Sequence, residues 1–162
     1  MTLIFRHVEK KDNAILSEMI KNVFREFKVE KAGTVFTDPT TDNLFELFRV
    51  PKSILWVAEY NNEICGCCGI FPSEGLPDDY TELVKFYVTN KARGKKIGLE
   101  LMKKSINSAK ELGYKYMYLE SLPEFDTALS MYQKEDFTIL DHRLGNSKHF
   151  GCDVLMVKKL DY

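Results

Sequence analysis

The sequence predicts an α/β chain of the α+β kind, one mixed and mostly antiparallel sheet with helices on both faces. Three observations carry that expectation. Apolar residues alternate with period two in several short runs, and recur with helical period in others. Asn61-Asn62 separates two apolar runs as a two-residue hairpin turn, because Asn tolerates positive φ, and such a hairpin pairs strands antiparallel. The strand–helix–strand order over 81–119 calls for one parallel crossover. With no internal repeat, low-complexity tract or linker, residues 1–162 are expected to form a single domain.

The elements follow in order. Thr2 to Val8 alternates Leu3, Phe5 and His7 against Ile4, Arg6 and Val8, as a first strand. Asp12 is placed to cap a helix from Asn13, whose apolar face is Ile15, Leu16, Met19, Ile20, Val23, Phe24 and Phe27. Gly33 to Pro39 breaks it. Asp42 is placed to cap a short second helix carrying Leu44, Phe45, Leu47 and Phe48, and Pro51 ends that region. Ser53 to Tyr60 and Glu63 to Phe71 are the hairpin strands, and 72–79 is a loop. Thr81 to Val88 is the next strand, with Glu82, Val84, Phe86 and Val88 on one face and Leu83, Lys85 and Tyr87 on the other. From Ile97 the period turns helical through Leu101, Met102, Ile106, Ala109 and Leu112, and Gly113 ends the helix. Tyr114 to Leu119 is a strand. Asp126 is placed to cap a helix with Ala128, Leu129, Met131 and Tyr132. Closing strands at about 137–141 and 152–159 flank a polar loop at 145–151.

Composition narrows the function classes. Hydrophobic residues are 44% and charged residues 29%, the soluble globular range. Lys plus Arg is 23 against 24 Asp plus Glu, a net charge of −1, which supplies no footprint for nucleic acid or an anionic membrane. No run approaches the roughly 18 apolar residues of a membrane helix. The first residues turn charged too soon for a signal peptide, so a cytoplasmic protein is expected. Cys65, Cys67, Cys68 and Cys152 lack zinc-site spacing and read as reduced core cysteines, with 67 and 68 on opposite strand faces, so no metal is expected.

The sharpest local feature is Arg93-Gly94-Lys95-Lys96-Ile97-Gly98, between a strand and a helix. Such a junction offers unpaired N–H groups and the positive end of a helix dipole, which together bind anions. Gly94 and Gly98 let the backbone approach a ligand, and three cationic side chains add charge. By composition alone it reads equally as a solvated basic turn.

The segment from Glu82 through Arg93-Gly-Lys-Lys-Ile-Gly98 to Met102 resembles motif A of the GNAT superfamily, the CoA-dependent N-acyltransferases. Ala128-Leu-Ser-Met-Tyr132-Gln-Lys-Glu-Asp-Phe137 resembles the same family's helix-to-strand segment. The resemblance is dense over about 54–140 and implies a GNAT-like fold for the whole chain, with acetyl-CoA as co-substrate. It implies that Phe86, Tyr87, Val88, Arg93, Gly94, Lys95, Lys96, Ile97 and Gly98 bind it, with the loop around its pyrophosphate. Three positions depart from the family pattern. Lys96 replaces the middle Gly of the loop, Asp136 replaces the Gly before the final Phe, and Phe125 stands where an Asn is often found. Asp tolerates a left-handed turn better than most residues; Lys does so at a cost.

Acyl transfer to an amine needs a deprotonated amine, a stabilised oxyanion and a departing thiolate. A lysine-like amine, pKa about 10.4, is neutral in only about one molecule in 2,500 at pH 7. Glu82 is the candidate base by resemblance, and apolar strand neighbours would raise its pKa toward a useful range. It reads equally as an exposed strand-end glutamate beside Asp78 and Asp79. Glu120, at the end of the next strand, is a second candidate base or a group that binds the acceptor's cation. Tyr132 is the resemblance's general acid toward the thiolate. A bulged strand with an N–H near Tyr87 or Val88 is its oxyanion donor.

The acceptor side is expected from about 28–50 and the 138–151 loop. There Phe36 and Asp38, with Asp42, Phe45 and Glu46 nearby, make an aromatic and acidic mix suited to a cationic amine. A small-molecule or peptide amine is the expected partner, and a second copy of the chain is a candidate one. His149 and Cys152 read as part of a closing strand rather than as a reactive pair. Two alternatives remain beside the enzyme: a non-catalytic acyl-CoA-sensing module and a regulator that binds another phosphate ligand.

Overall fold

The computed structural model describes residues 2–162. Seven strands form one sheet: β1 (Leu3–His7), β2 (Ile54–Tyr60), β3 (Glu63–Phe71), β4 (Tyr80–Val88), β5 (Tyr116–Ser121), β6 (Thr138–Ile139) and β7 (Val154–Lys159). The order across the sheet is β1-β2-β3-β4-β5-β7-β6, antiparallel except where β4 meets β5. Helices α1 (Asn13–Glu26) and α2 (Leu44–Leu47) pack on one face; α3 (Ile97–Glu111) and α4 (Asp126–Lys134) pack on the other. The expected mixed sheet between two helical layers is therefore observed.

Each layer has its own core. On one face Leu16, Ile20 and Phe24 of α1 meet Leu55, Val57 and Cys67 of the sheet. On the other, Leu101, Met102 and Ile106 of α3 meet Ala58, Cys68 and Ile70. Cys67 and Cys68 thus do face opposite sides, both reduced and buried. Asn61 and Asn62 adopt φ of 51° and 68°, the paired positive values a two-residue hairpin needs.

Three expected caps are corrected. Asp12 does not cap α1: its carboxylate takes the Arg6 guanidinium at 2.8 and 2.9 Å and the Glu9 N–H at 2.7 Å, closing a short 3-10 turn before the helix. Asp42 accepts from Ser17 and Lys21 of α1 instead of capping α2. Asp126 is the first residue of α4, and Phe125 precedes it without a side-chain cap. For Asp12 and Asp42 the competing partner is a full cation, Arg6 or Lys21, where a helix N-terminus offers only a partial charge.

The largest departure from regular alternation lies in β4, the strand that the resemblance implies is bulged. Lys85 adopts a φ of 55°, and the β3–β4 register slips between the pairs Cys67↔Tyr87 and Gly69↔Val84. One extra residue in β4 makes this a β-bulge, which resets the alternation beyond it. Leu83, Phe86 and Val88 pack in the α3 layer, whereas Val84 and Tyr87 pack in the α1 layer. The strict alternation expected for 81–88 is overturned at the bulge. β4 and β5 pair only over Tyr80–Glu82 and Tyr116–Tyr118, then diverge.

Candidate active site

The divergence of β4 from β5 opens a wedge at the middle of the sheet. A cavity of about 530 Å³ fills it, floored by Glu82 to Val88 and walled by α1, α4 and the start of α3. Beyond Glu82, β4 has no ladder partner on its β5 side, so alternate backbone N–H groups open into the wedge. The bulge carbonyl of Lys85 is occupied separately, accepting from Cys67 Sγ at 3.0 Å.

One end of the cavity is the loop before α3. Gly94 has a φ of 80° and open space where a Cβ would stand. Lys96 adopts a φ of 63° at the N-cap of α3, so this position does take the left-handed region that glycine occupies freely. Among the described residues the N–H groups of Gly94, Lys95 and Lys96 donate to no other backbone group, and α3 has no side-chain cap. The loop thus presents unpaired donors at a helix N-terminus, the arrangement that favours an anion. Its side chains behave less uniformly. The Arg93 guanidinium turns inward, donating to the Val88 carbonyl at 3.2 and 3.0 Å, pairing with Glu26 and lying over Phe27. Lys95 lies over the Tyr60 ring. Ile97, Gly98 and Lys96 line the cavity, and Gly98 lets α3 approach Phe86 and Val88.

Glu82 and Tyr132 face this cavity from two elements. Glu82 is buried, and its Oε1 accepts from Ser73 Oγ at 2.6 Å. Burial, then the Glu120 carboxylate, push its pKa up to about 7. Tyr132 of α4 packs between Phe86 and Phe137, and burial holds its phenol well above the ordinary range. Asp136, with a φ of 68°, makes the expected left-handed turn that leads α4 into Phe137. Phe125 fills its place with apolar contacts to Phe24, Phe27 and Tyr87.

The opposite end is built from side-chain pairs. Glu120 is on the wall but almost wholly buried, accepting from Tyr118 at 2.7 Å and Ser147 at 2.6 Å and pairing with Arg143 at 2.9 Å. Arg143 also donates to the Cys152 carbonyl at 2.8 Å. Asp38 stands behind the wall, 2.7 Å from His149 Nε2, and that bond holds its carboxyl far below the usual range. Phe36 packs on Phe24 and beneath Arg25, away from the cavity. Asp42 and Glu46 are likewise engaged elsewhere, with Ser17 and Lys21 and with Asn13. The expected acidic and aromatic acceptor patch does not form as a unit.

Sequence reasoning did not single out Ser73, Lys85, Arg143 or Ser147, although the last two lie in the 138–151 loop expected on the acceptor side, and it read His149 as structural. Lys85 carried a signal of its own, the one charge in the apolar run 83–88. Among the described residues no group of His, Cys, Asp and Glu is placed to hold a metal, and no helix is long and apolar enough to cross a membrane.

Residues 18–137 match the model of the acetyltransferase (GNAT) family. The uncharacterized N-acetyltransferase YjgM of Escherichia coli K12 is 32% identical over 159 residues, covering 97% of this chain and 95% of the relative. A GNAT-family acetyltransferase structure from Staphylococcus aureus Mu50 superposes with a TM-score of 0.84 at 20% identity, covering 99% of this chain and 100% of that one. yncA from Salmonella typhimurium, solved with its cofactor acetyl-CoA, gives 0.77 at 18% identity, covering 100% and 96%.

Proposed function

The chain belongs to the GNAT family of acetyltransferases, and we propose that it moves an acetyl group from acetyl-CoA to a primary amine by direct attack in a ternary complex. One observation carries the reading. A buried carboxyl with a pKa of about 7 shares one cavity with a loop of unpaired N–H groups at a helix N-terminus. The loop suits a pyrophosphate, Gly94 leaves room for close approach, and the wedge between β4 and β5 gives an extended thioester arm a path to Glu82.

Acetyl-CoA supplies the acyl group and a thiolate, whose ordinary pKa of about 8.5 makes it a tolerable leaving group. Glu82 takes the proton of the attacking amine, directly or through a water, on the oxygen that Ser73 leaves open. An N–H of β4 just past the bulge stabilises the developing oxyanion, a contribution of about 3 kcal/mol for one preorganised donor. Tyr132 keeps its proton throughout the working pH range and donates a hydrogen bond to the departing sulfur. Arg93 serves from behind, fixing the Val88 end of β4 rather than meeting phosphate by charge. Glu120 orders the 143–149 segment through Arg143 and Ser147, which leaves Glu82 as the base.

The test is a calorimetric titration with acetyl-CoA, CoA and ATP, followed by thiol release with a panel of amines. Saturable acetyl-CoA binding, little for ATP, and amine-dependent thiol release are expected. Saturable binding with no release on any amine would make the protein an acyl-CoA-binding module instead. Equal competition by ATP would point to a different phosphate ligand.

A further inference from the structure

On the wall around Glu82, Lys85 stands apart from its polar neighbours, which have partners. Arg143 is committed to Glu120 and the Cys152 carbonyl, and His149 to Asp38. Lys85 is buried on the same wall, and among the described residues its ammonium makes no hydrogen bond and no ion pair. Burial lowers its pKa, while the charges of Asp38 and Glu82, beyond ion-pair contact, oppose that fall. Its backbone sits at a φ of 55°, a conformation that side chains other than glycine's adopt only at a cost. The bulge and the Cys67 thiol hold it there, three residues from Glu82.

An ammonium has three donors and no acceptor, so in this cavity its partners are water or an acceptor group of a ligand. Bonds from a cation to a carboxylate are about twice as strong as neutral ones. The open groups around Glu82 are therefore one carboxyl oxygen that takes a proton and one buried cation that takes an anion. A polyamine would bring a second positive charge against Lys85; an amine with a carboxylate nearby would satisfy both. Resting on the acetyl-transfer reading above, we propose that the acceptor is an amino-acid-like amine, its carboxylate held by Lys85 and its amino group directed to Glu82. Lys85 is then the residue that sets acceptor class.

The test compares L-amino acids, spanning aliphatic, aromatic and acidic side chains, with their decarboxylated amines, reading both thiol release and thermal shift in the presence of CoA. Amino acids should exceed the matched amines at least tenfold in kcat/KM, and at least one should raise the melting temperature. Lys85→Met and Lys85→Gln should reduce kcat/KM for amino acids at least tenfold more than for the matched amines, chiefly through KM, and should abolish the thermal shift. Far-UV circular dichroism and acetyl-CoA titration establish that the variants fold. Turnover of decarboxylated amines at rates equal to amino acids would overturn the carboxylate site while leaving acetyl transfer standing. A Lys85-dependent thermal shift by amino acids without turnover would keep the carboxylate site and defeat the transfer reading. Equal losses for both acceptor classes, or weakened acetyl-CoA binding in the Lys85 variants, would reassign Lys85 to the donor.

Discussion

The two ends of the cavity are made of different material. The end we assign to acetyl-CoA is backbone, the unpaired N–H groups of Gly94, Lys95 and Lys96 ahead of α3. The end we assign to the acceptor is side chain, with Glu120 tied to Arg143 and Ser147, Asp38 tied to His149, and Glu82 and Lys85 left with open valences. A backbone site depends on local conformation and tolerates exchange of its side chains; here Arg93 turns its charge away without closing the loop. A side-chain site depends on each partner, because removing one leaves the other buried and charged. Substitutions at the acceptor end should therefore be costly and selective for the acceptor, and those in the loop mild and selective for the donor.

The largest expected effect is at Glu82. Glu82→Gln should lower kcat about 100-fold, the lower end of general-base contributions, and erase the acid limb near pH 7 from the kcat/KM profile. A retained limb would remove Glu82 as base. The same carboxyl predicts a stability signature. Its pKa is raised on folding, so the folded state holds the proton more tightly, and stability falls as pH rises from about 4.5 through about 7. Urea midpoints of the wild type should decline more than those of Glu82→Gln over that window.

Arg143→Met comes next. It strands a nearly fully buried Glu120 and should cost about 3 kcal/mol of stability in chemical denaturation. It should raise the acceptor KM more than the acetyl-CoA Kd, since Arg143 and Ser147 hold the loop against β5. Equal effects on both ligands would erase the proposed division of the cavity. Tyr132→Phe should reduce kcat about tenfold with binding little changed, because a thiolate needs limited assistance and the ring packing survives. The smallest effect is expected in the loop. Lys96→Gly relieves a lysine that is left-handed without any ligand, so it should raise stability by up to about 1 kcal/mol and leave the acetyl-CoA Kd within about twofold, with acceptor KM unmoved. Binding weakened well beyond that would show that the Lys96 charge serves the donor end.

The sequence by itself determined the layer architecture, the hairpin at Asn61-Asn62, the glycine-containing basic loop ahead of α3 and the segment leading through Tyr132 to Phe137. Each is encoded within a few consecutive residues, through apolar period, turn chemistry or a contiguous motif, and the family resemblance acts at that same range. It also placed Glu82 and Glu120 on strands that turned out to be neighbours, with both carboxylates in one cavity.

What only the tertiary structure decided is where contacts join distant residues. Asp12 and Asp42 read as caps because their own helices are near in sequence, but Arg6 and the Ser17–Lys21 pair offered stronger partners. His149 meets Asp38 from 111 residues away, and Ser147 meets Glu120 from 27. The resemblance implied a bulged strand, but its position at Lys85 was decided in the same way. Alternation says which face a residue takes only while the ladder is regular, and one extra residue in β4 moved Phe86 and Val88 to the opposite face from Glu82 and Val84. Local pattern sets the elements because their hydrogen bonds close within a few residues. The chemistry of the wall around Glu82 was set by burial and pairing, which exist only once the chain has packed.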